Sequence, residues 1–251
     1  MAGKRRSKRK PAGFHASIAG TIPDRVPTRW VKFFVGIFLV PPTWILAQTF
    51  FTAFARTTVH DTFWITEEFW FFSLGAVLWL AAFFCLPRPL WIYVFGHELT
   101  HALWVYLMGG RVHRFQVSKE GGQILTDKTN TWIALAPYFF PIYSLLVILI
   151  YGIAAVFTDV SPFRQWLYAG IGFTWAFHLS FTFWMIPKGQ PDLTYGGTFF
   201  SLVLIFLLNL ALLAALLILA APGVSWTGFA ADLIGNAADF SHQIYRLAAK
   251  L

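Results

Sequence analysis

The sequence predicts an all-α polytopic membrane protein of about six transmembrane helices, with one short β-hairpin and a C-terminal amphipathic helix. Three observations carry this. The 251 residues are 57% hydrophobic and 12% charged, with mean hydropathy +0.62, a balance foreign to soluble single domains of this size. Apolar runs of about 20 residues, the length of a membrane-crossing helix, recur along the chain. Twelve Trp and eight Tyr suit belts at the two membrane interfaces as well as packing inside a bundle.

The front of the chain holds much of the formal net charge of +8, in Lys4, Arg5, Arg6, Lys8, Arg9 and Lys10. Residues 1–29 read as a basic disordered tail on the cytoplasmic side, attracted secondarily to anionic lipid. Nucleic-acid binding is excluded, because neither a base-stacking module nor a second basic patch accompanies the run. The next apolar segment exceeds the length of a cleavable signal, although Ala53-Phe54-Ala55 resembles a cleavage site, so it reads as an uncleaved anchor. Spans are expected over 30–55, 68–87, 89–108, 132–157, 166–187 and 198–221, forming one transmembrane domain over 30–221. The single cysteine, Cys85, falls inside a span, which excludes an intrachain disulfide framework and a thiolate metal site.

The third span contains His97-Glu98-Leu99-Thr100-His101. Ionisable groups at that depth are functional candidates by default. On a helix, positions four apart share a face, so the two imidazoles can converge on one Zn²⁺ with Glu98 beside it. A catalytic zinc takes three protein ligands and leaves one position open to water. Glu98 then serves as a base, taking a proton from the attacking water and returning it to the leaving amine. The competing reading is a metal-free, hydrogen-bonded packing of the same three groups.

After this span comes a polar stretch, 109–131. Val112, Phe115 and Val117 alternate with Arg114 and Gln116, and Gly121-Gly122 precede Ile124 and Leu125, which predicts a β-hairpin over 111–126. Its edge could hold an unwound substrate segment by strand addition, with Phe115 and Val117 as candidate substrate-binding residues. In the fourth span, Pro137 and Pro141 should bend or open the helix. Broken backbone at membrane depth is tolerated where it lines a cavity or is buried in protein. Residues 222–251 alternate apolar and polar positions at helical spacing, an amphipathic helix lying on the membrane or on the bundle.

Two histidines do not complete a zinc site. No glutamate follows Glu120, and of the downstream carboxylates Asp127, Asp159, Asp232 and Asp239 fall in loops or on a polar helix face. Asp192 lies in Pro187–Gly197, where Pro and Gly interrupt helix between two apolar spans and let a side chain fold back into the bundle. It is the preferred third ligand, with His113 and His178 as alternatives.

The chain resembles the site-2 protease family of intramembrane zinc metalloproteases, most of all its compact members without a PDZ domain. The likeness covers roughly residues 89 to 210. Gly96-His97-Glu98-Leu99-Thr100-His101-Ala102 followed by Gly109-Gly110 is similar to the family's zinc helix and its exit. Ala136-Pro137 resembles the proline-containing middle helix, and Pro187 through Gly197 the segment bearing the family's ligand aspartate. That aspartate is usually followed by glycine, whereas Leu193 follows Asp192 here. The resemblance implies hydrolysis of a peptide bond in or near a transmembrane segment of a membrane-protein substrate, in the cell or inner membrane.

A rival reading from another class is an inactive membrane scaffold or transporter subunit that keeps the histidine pair for structure. Seven histidines are too few for a di-iron lipid hydroxylase. The basic front predicts a cytoplasmic N-terminus, and six crossings then put the hairpin outside. Members of the family commonly keep that region cytoplasmic, so Pro41-Pro42 or Glu67-Glu68 could mark a re-entrant segment.

Overall fold

In the computed structural model, residues 17–19, 26–60, 62–118 and 121–250 are described. The basic run Lys4–Lys10 and His15 lie outside the described residues. Among the described residues the chain forms nine α-helices and one small sheet. They are α1 (Val26–Val59), α2 (Glu67–Cys85), α3 (Leu90–Leu107), α4 (Thr131–Phe139), α5 (Ile142–Phe157), α6 (Arg164–Met185), α7 (Pro191–Tyr195), α8 (Thr198–Ala220) and α9 (Trp226–Ala248). The strands are β1 (Ser17–Ala19), β2 (Val112–Val117) and β3 (Gly122–Thr126).

The all-α class holds, and three or four of the six expected spans meet the length and apolarity of a crossing helix. By length and composition α1, α2 and α8 are long and apolar enough to cross a membrane. A fourth is added if α4 and α5, bent by 73°, form one broken span. The third expected segment is helical, but α3 carries His97, Glu98 and His101 within eighteen residues, which lowers its mean hydropathy. Arg164, Gln165, Thr174, His178, Ser180 and Thr182 do the same to α6. Trp30, Phe38, Val77, Phe84, Val156, Phe157 and Leu219 point outward. Large apolar side chains turned away from the core in this number suit lipid rather than water.

α2 and α6 pack closely because Gly75 and Gly172 sit at their crossing, where a Cβ on either would overlap the other helix's backbone. α3 joins this pair through an aromatic core of Trp79, Phe83, Tyr93, Phe177 and Phe181. A second core, Leu135, Tyr138, Phe139, Leu193, Leu204 and Ile205, binds α4, α7 and α8. α9 lies on α1: Phe229 is buried with Ala53 and Leu217, Asn236 Nδ2 donates to Thr49 Oγ1 at 2.8 Å, and Arg56 pairs with Asp232 at 2.9 Å.

The predicted hairpin is present as β2 and β3, antiparallel, with an irregularity between Val112 and Arg114. It folds back along α3, where Phe115 meets Phe95 edge-on with centroids 6.1 Å apart, and Val117 packs on the α2–α3–α6 core. The sheet has a third strand that the residue pattern did not announce. β1 pairs parallel with β3, giving the order β1-β3-β2.

Candidate metal centre

α3 starts after Pro87 and Pro89, with Pro89 at its N-cap. It stops where Gly109 takes a left-handed conformation (φ 73°), so that Gly109 N–H donates to the Tyr106 carbonyl and Gly110 N–H to that of Val105. His97, Glu98 and His101 are thus held mid-helix, away from fraying ends. The Nε2 atoms of His97 and His101 are 3.2 Å apart.

The prolines of the fourth segment act on this pair. Pro137 has no N–H, so within α4 the Ile133 carbonyl lacks its usual donor four residues on. That carbonyl instead faces His101 Nδ1 at 2.8 Å. Opposite an acceptor, Nδ1 carries the proton, which leaves Nε2 as a bare lone pair directed at His97. Pro141 ends the helix and opens the bend to α5. The Tyr138 carbonyl exposed by that break accepts from Asn209 Nδ2 of α8 at 2.8 Å.

The aspartate arrives from the other side. Gly189 in the left-handed region (φ 77°) turns the chain after α6, and Pro191 opens the five-residue helix α7, placing Asp192 in its first turn. Ser201 Oγ donates to the Leu193 carbonyl at 3.0 Å and ties α7 to α8. Asp192 Oδ2 then lies 3.2 Å from His97 Nε2 and 3.4 Å from His101 Nε2, and it accepts from Tyr138 Oη at 3.2 Å. His97 Nδ1 meets Tyr93 Oη at 3.2 Å.

These separations fit a metal. Tetrahedral ligands at 2.0–2.1 Å from zinc stand about 3.3 Å from one another, which matches the three edges of 3.2, 3.2 and 3.4 Å. Each imidazole also has its second nitrogen engaged, as metal-binding histidines do. All three side chains are buried. Lone pairs converging in a dry interior repel one another unless a cation or a shared proton sits between them.

Glu98 points elsewhere. It is fully buried, and neither carboxylate oxygen has a hydrogen-bond partner. Its side chain lies against the start of β3, where a Cβ on Gly122 would come 2.5 Å from Glu98 Cγ and 2.6 Å from Val94 Cγ1. Only glycine lets the hairpin approach the Glu98 side chain so closely. Beside His97 a cavity of about 20 Å³, lined by Tyr93, Gly96, Thr100, Tyr143 and His178 among others, is large enough for one water.

The remaining candidates fall away from this centre. His113 is exposed on β2. His178, on α6, lines the small cavity with its Nε2 buried and unpartnered, outside the three-donor group. Asp127 Oδ1 accepts from Arg111 N–H at 2.7 Å and closes the hairpin. Asp159 caps a loop, where hydrogen bonds from Ser161 hold its carboxyl below the usual range. Tyr93, Tyr138 and the Ile133 carbonyl are parts of the centre that residue patterns did not single out, although Tyr138 lies in the proline segment they marked.

Comparison with protein-family models, curated proteins and solved structures finds no match for this chain. The site therefore stands on its own geometry: a buried group of His97, His101 and Asp192, able to bind a metal ion, inside a helical protein with membrane-like apolar spans.

Proposed function

We propose that the chain is an intramembrane zinc metalloprotease that hydrolyses a peptide bond in or near a transmembrane segment of a protein substrate. The observation that carries this reading is the orphaned Glu98 carboxylate, buried one residue from the three-donor centre and pressed against β3. A purely structural metal site closes its fourth position and needs no such base. Two imidazoles and a carboxylate suit zinc. The likeness of residues 89 to 210 to site-2 proteases points the same way.

His97, His101 and Asp192 would hold Zn²⁺, which when bound supplies a Lewis acid for the peptide carbonyl and lowers the pKa of water. Tyr93, Tyr138 and the Ile133 carbonyl orient the three ligands. Glu98 accepts the proton of the attacking water and delivers it to the departing amine. A substrate helix hides its carbonyls in its own hydrogen bonds, so it must unwind before reacting. The sheet beside Glu98 offers the unwound segment backbone partners, with Phe115 and Val117 on β2 behind it. In this reading α3 and α6 complete six crossings, and the N-terminus is cytoplasmic.

The test is cleavage of a single-span test substrate by the purified chain in liposomes, with zinc and after chelation. Zinc-dependent cleavage is expected. A chain that carries zinc and cuts no such substrate favours the scaffold reading.

A further inference from the structure

The position of β1 bears on how that site is reached. β3 is the central strand: β2 covers one edge through the local hairpin, and Ser17–Ala19, about a hundred residues earlier in the chain, covers the other. The pairing is parallel, with Ser17 opposite Gln123, Ile18 opposite Ile124 and Ala19 opposite Leu125. β3 is also the strand that touches the base, through Gly122 and Glu98. On its far side β1 contacts α7, the helix that carries Asp192. An extended backbone in the place of β1 therefore touches both the strand on Glu98 and the helix that supplies Asp192.

Three residues of parallel ladder are a weak attachment. Parallel pairing is somewhat less stable per residue than antiparallel, and fixing each backbone residue costs about 1–2 kcal/mol. Such a strand is held chiefly by being tethered, which gives it an effective concentration of about millimolar order. A segment held that way exchanges with a competitor that makes the same backbone bonds.

We propose that the outer edge of β3, facing α7, is a docking edge for an extended peptide running parallel to β3, and that Ser17–Ala19 are its built-in occupant. An incoming substrate segment takes the place of β1 rather than adding to a free edge. This deepens the proteolytic reading and rests on it for the word substrate; the docking edge itself stands on the strand order and on the neighbours of β3.

The test uses the full-length chain in lipid nanodiscs and a fluorescent synthetic peptide reproducing residues 14–21. Ile18→Pro removes a backbone N–H and disfavours the β1 pairing. The peptide should bind Ile18→Pro about tenfold or more tightly than wild type, because the tethered competitor is gone. Amide exchange over Gln123–Leu125 should quicken in the variant and slow again when peptide is added. Ser17→Pro serves as a second variant with the same expectation. Equal peptide affinity in wild type and both variants, or β3 exchange unmoved by the substitutions, overturns the proposal and makes β1 a fixed part of the sheet. Peptide exchange as expected, joined to a failure to cleave any membrane substrate, leaves the docking edge standing and counts against the protease alone.

Discussion

His97 Nε2 lies 3.2 Å from Asp192 Oδ2, across 95 positions of sequence. Together with the 3.2 Å between His97 and His101 and the 3.4 Å between His101 and Asp192, this closes a triangle whose edges suit one tetrahedral cation. Asp192→Ala removes one of the three candidate ligands and should cost more than the 10–100-fold in metal affinity typical of losing a group that only orients a ligand. Helix content by circular dichroism should stay the same, since α7 is only five residues long. Competition with a calibrated zinc chelator measures the affinity; wild-type affinity in Asp192→Ala would remove the aspartate from the centre.

Glu98, next to His97 in sequence, is buried against β3 without a hydrogen-bond partner. Glu98→Gln keeps the shape and removes the carboxylate proposed as the base. Zinc content should be unchanged, and cleavage of the test substrate should fall by about 10²–10⁴-fold, the range for losing a positioned proton-transfer group. Proteolysis at the wild-type rate in this variant assigns the proton transfer elsewhere.

Gly122 is where the sheet meets Glu98. Gly122→Ala places a methyl group 2.5 Å from Glu98 Cγ, so either the carboxylate or β3 must move. Zinc binding should survive and turnover should drop, because a misplaced catalytic group of about 1 Å can cost 10²-fold. Gly109→Ala, a left-handed position with open space around it, should instead lower stability by strain at the end of α3 while sparing the chemistry of Glu98. Thermal unfolding and turnover measured on both variants separate the two effects.

Pro137 frees the Ile133 carbonyl for His101, and Tyr138 holds Asp192. Pro137→Ala restores an N–H that competes for that carbonyl, and Tyr138→Phe deletes one hydrogen bond to the carboxylate. Each should weaken zinc binding by about 10–100-fold without abolishing it. Zinc titration of the metal-stripped variants is the measurement, and unchanged affinity in both would mean that these contacts serve packing alone.

The legibility of this centre in the sequence varied with how local each contribution is. The pairing of His97 with His101 follows from four-residue spacing on a helix, and it was readable at once. Asp192 could be reached by elimination and by the Pro and Gly around it, because those residues dictate an irregular turn whatever the tertiary fold. Pro137 and Pro141 announced a break, but which carbonyl the break releases and which side chain takes it depend on how α3 packs beside α4. Tyr93 and Tyr138 read as interfacial or core aromatics, since nothing local distinguishes a tyrosine that orients a ligand. Polar groups act in a related way on the spans: His97, Glu98 and His101 dilute the apolarity of α3, so it falls short of a crossing helix by composition. β1 escaped notice because three residues of Ser-Ile-Ala carry no periodicity, and their pairing is decided by a strand about a hundred residues away.

Metal analysis of the purified chain, prepared without chelator and set beside Asp192→Ala, tests the central claim most directly. One zinc per wild-type chain is expected, with X-ray absorption showing nitrogen and oxygen ligands at about 2.0–2.2 Å and no sulfur, and a large loss in the variant. A wild-type chain that holds no divalent metal even after zinc is supplied, or one that holds it equally well without Asp192, contradicts the account.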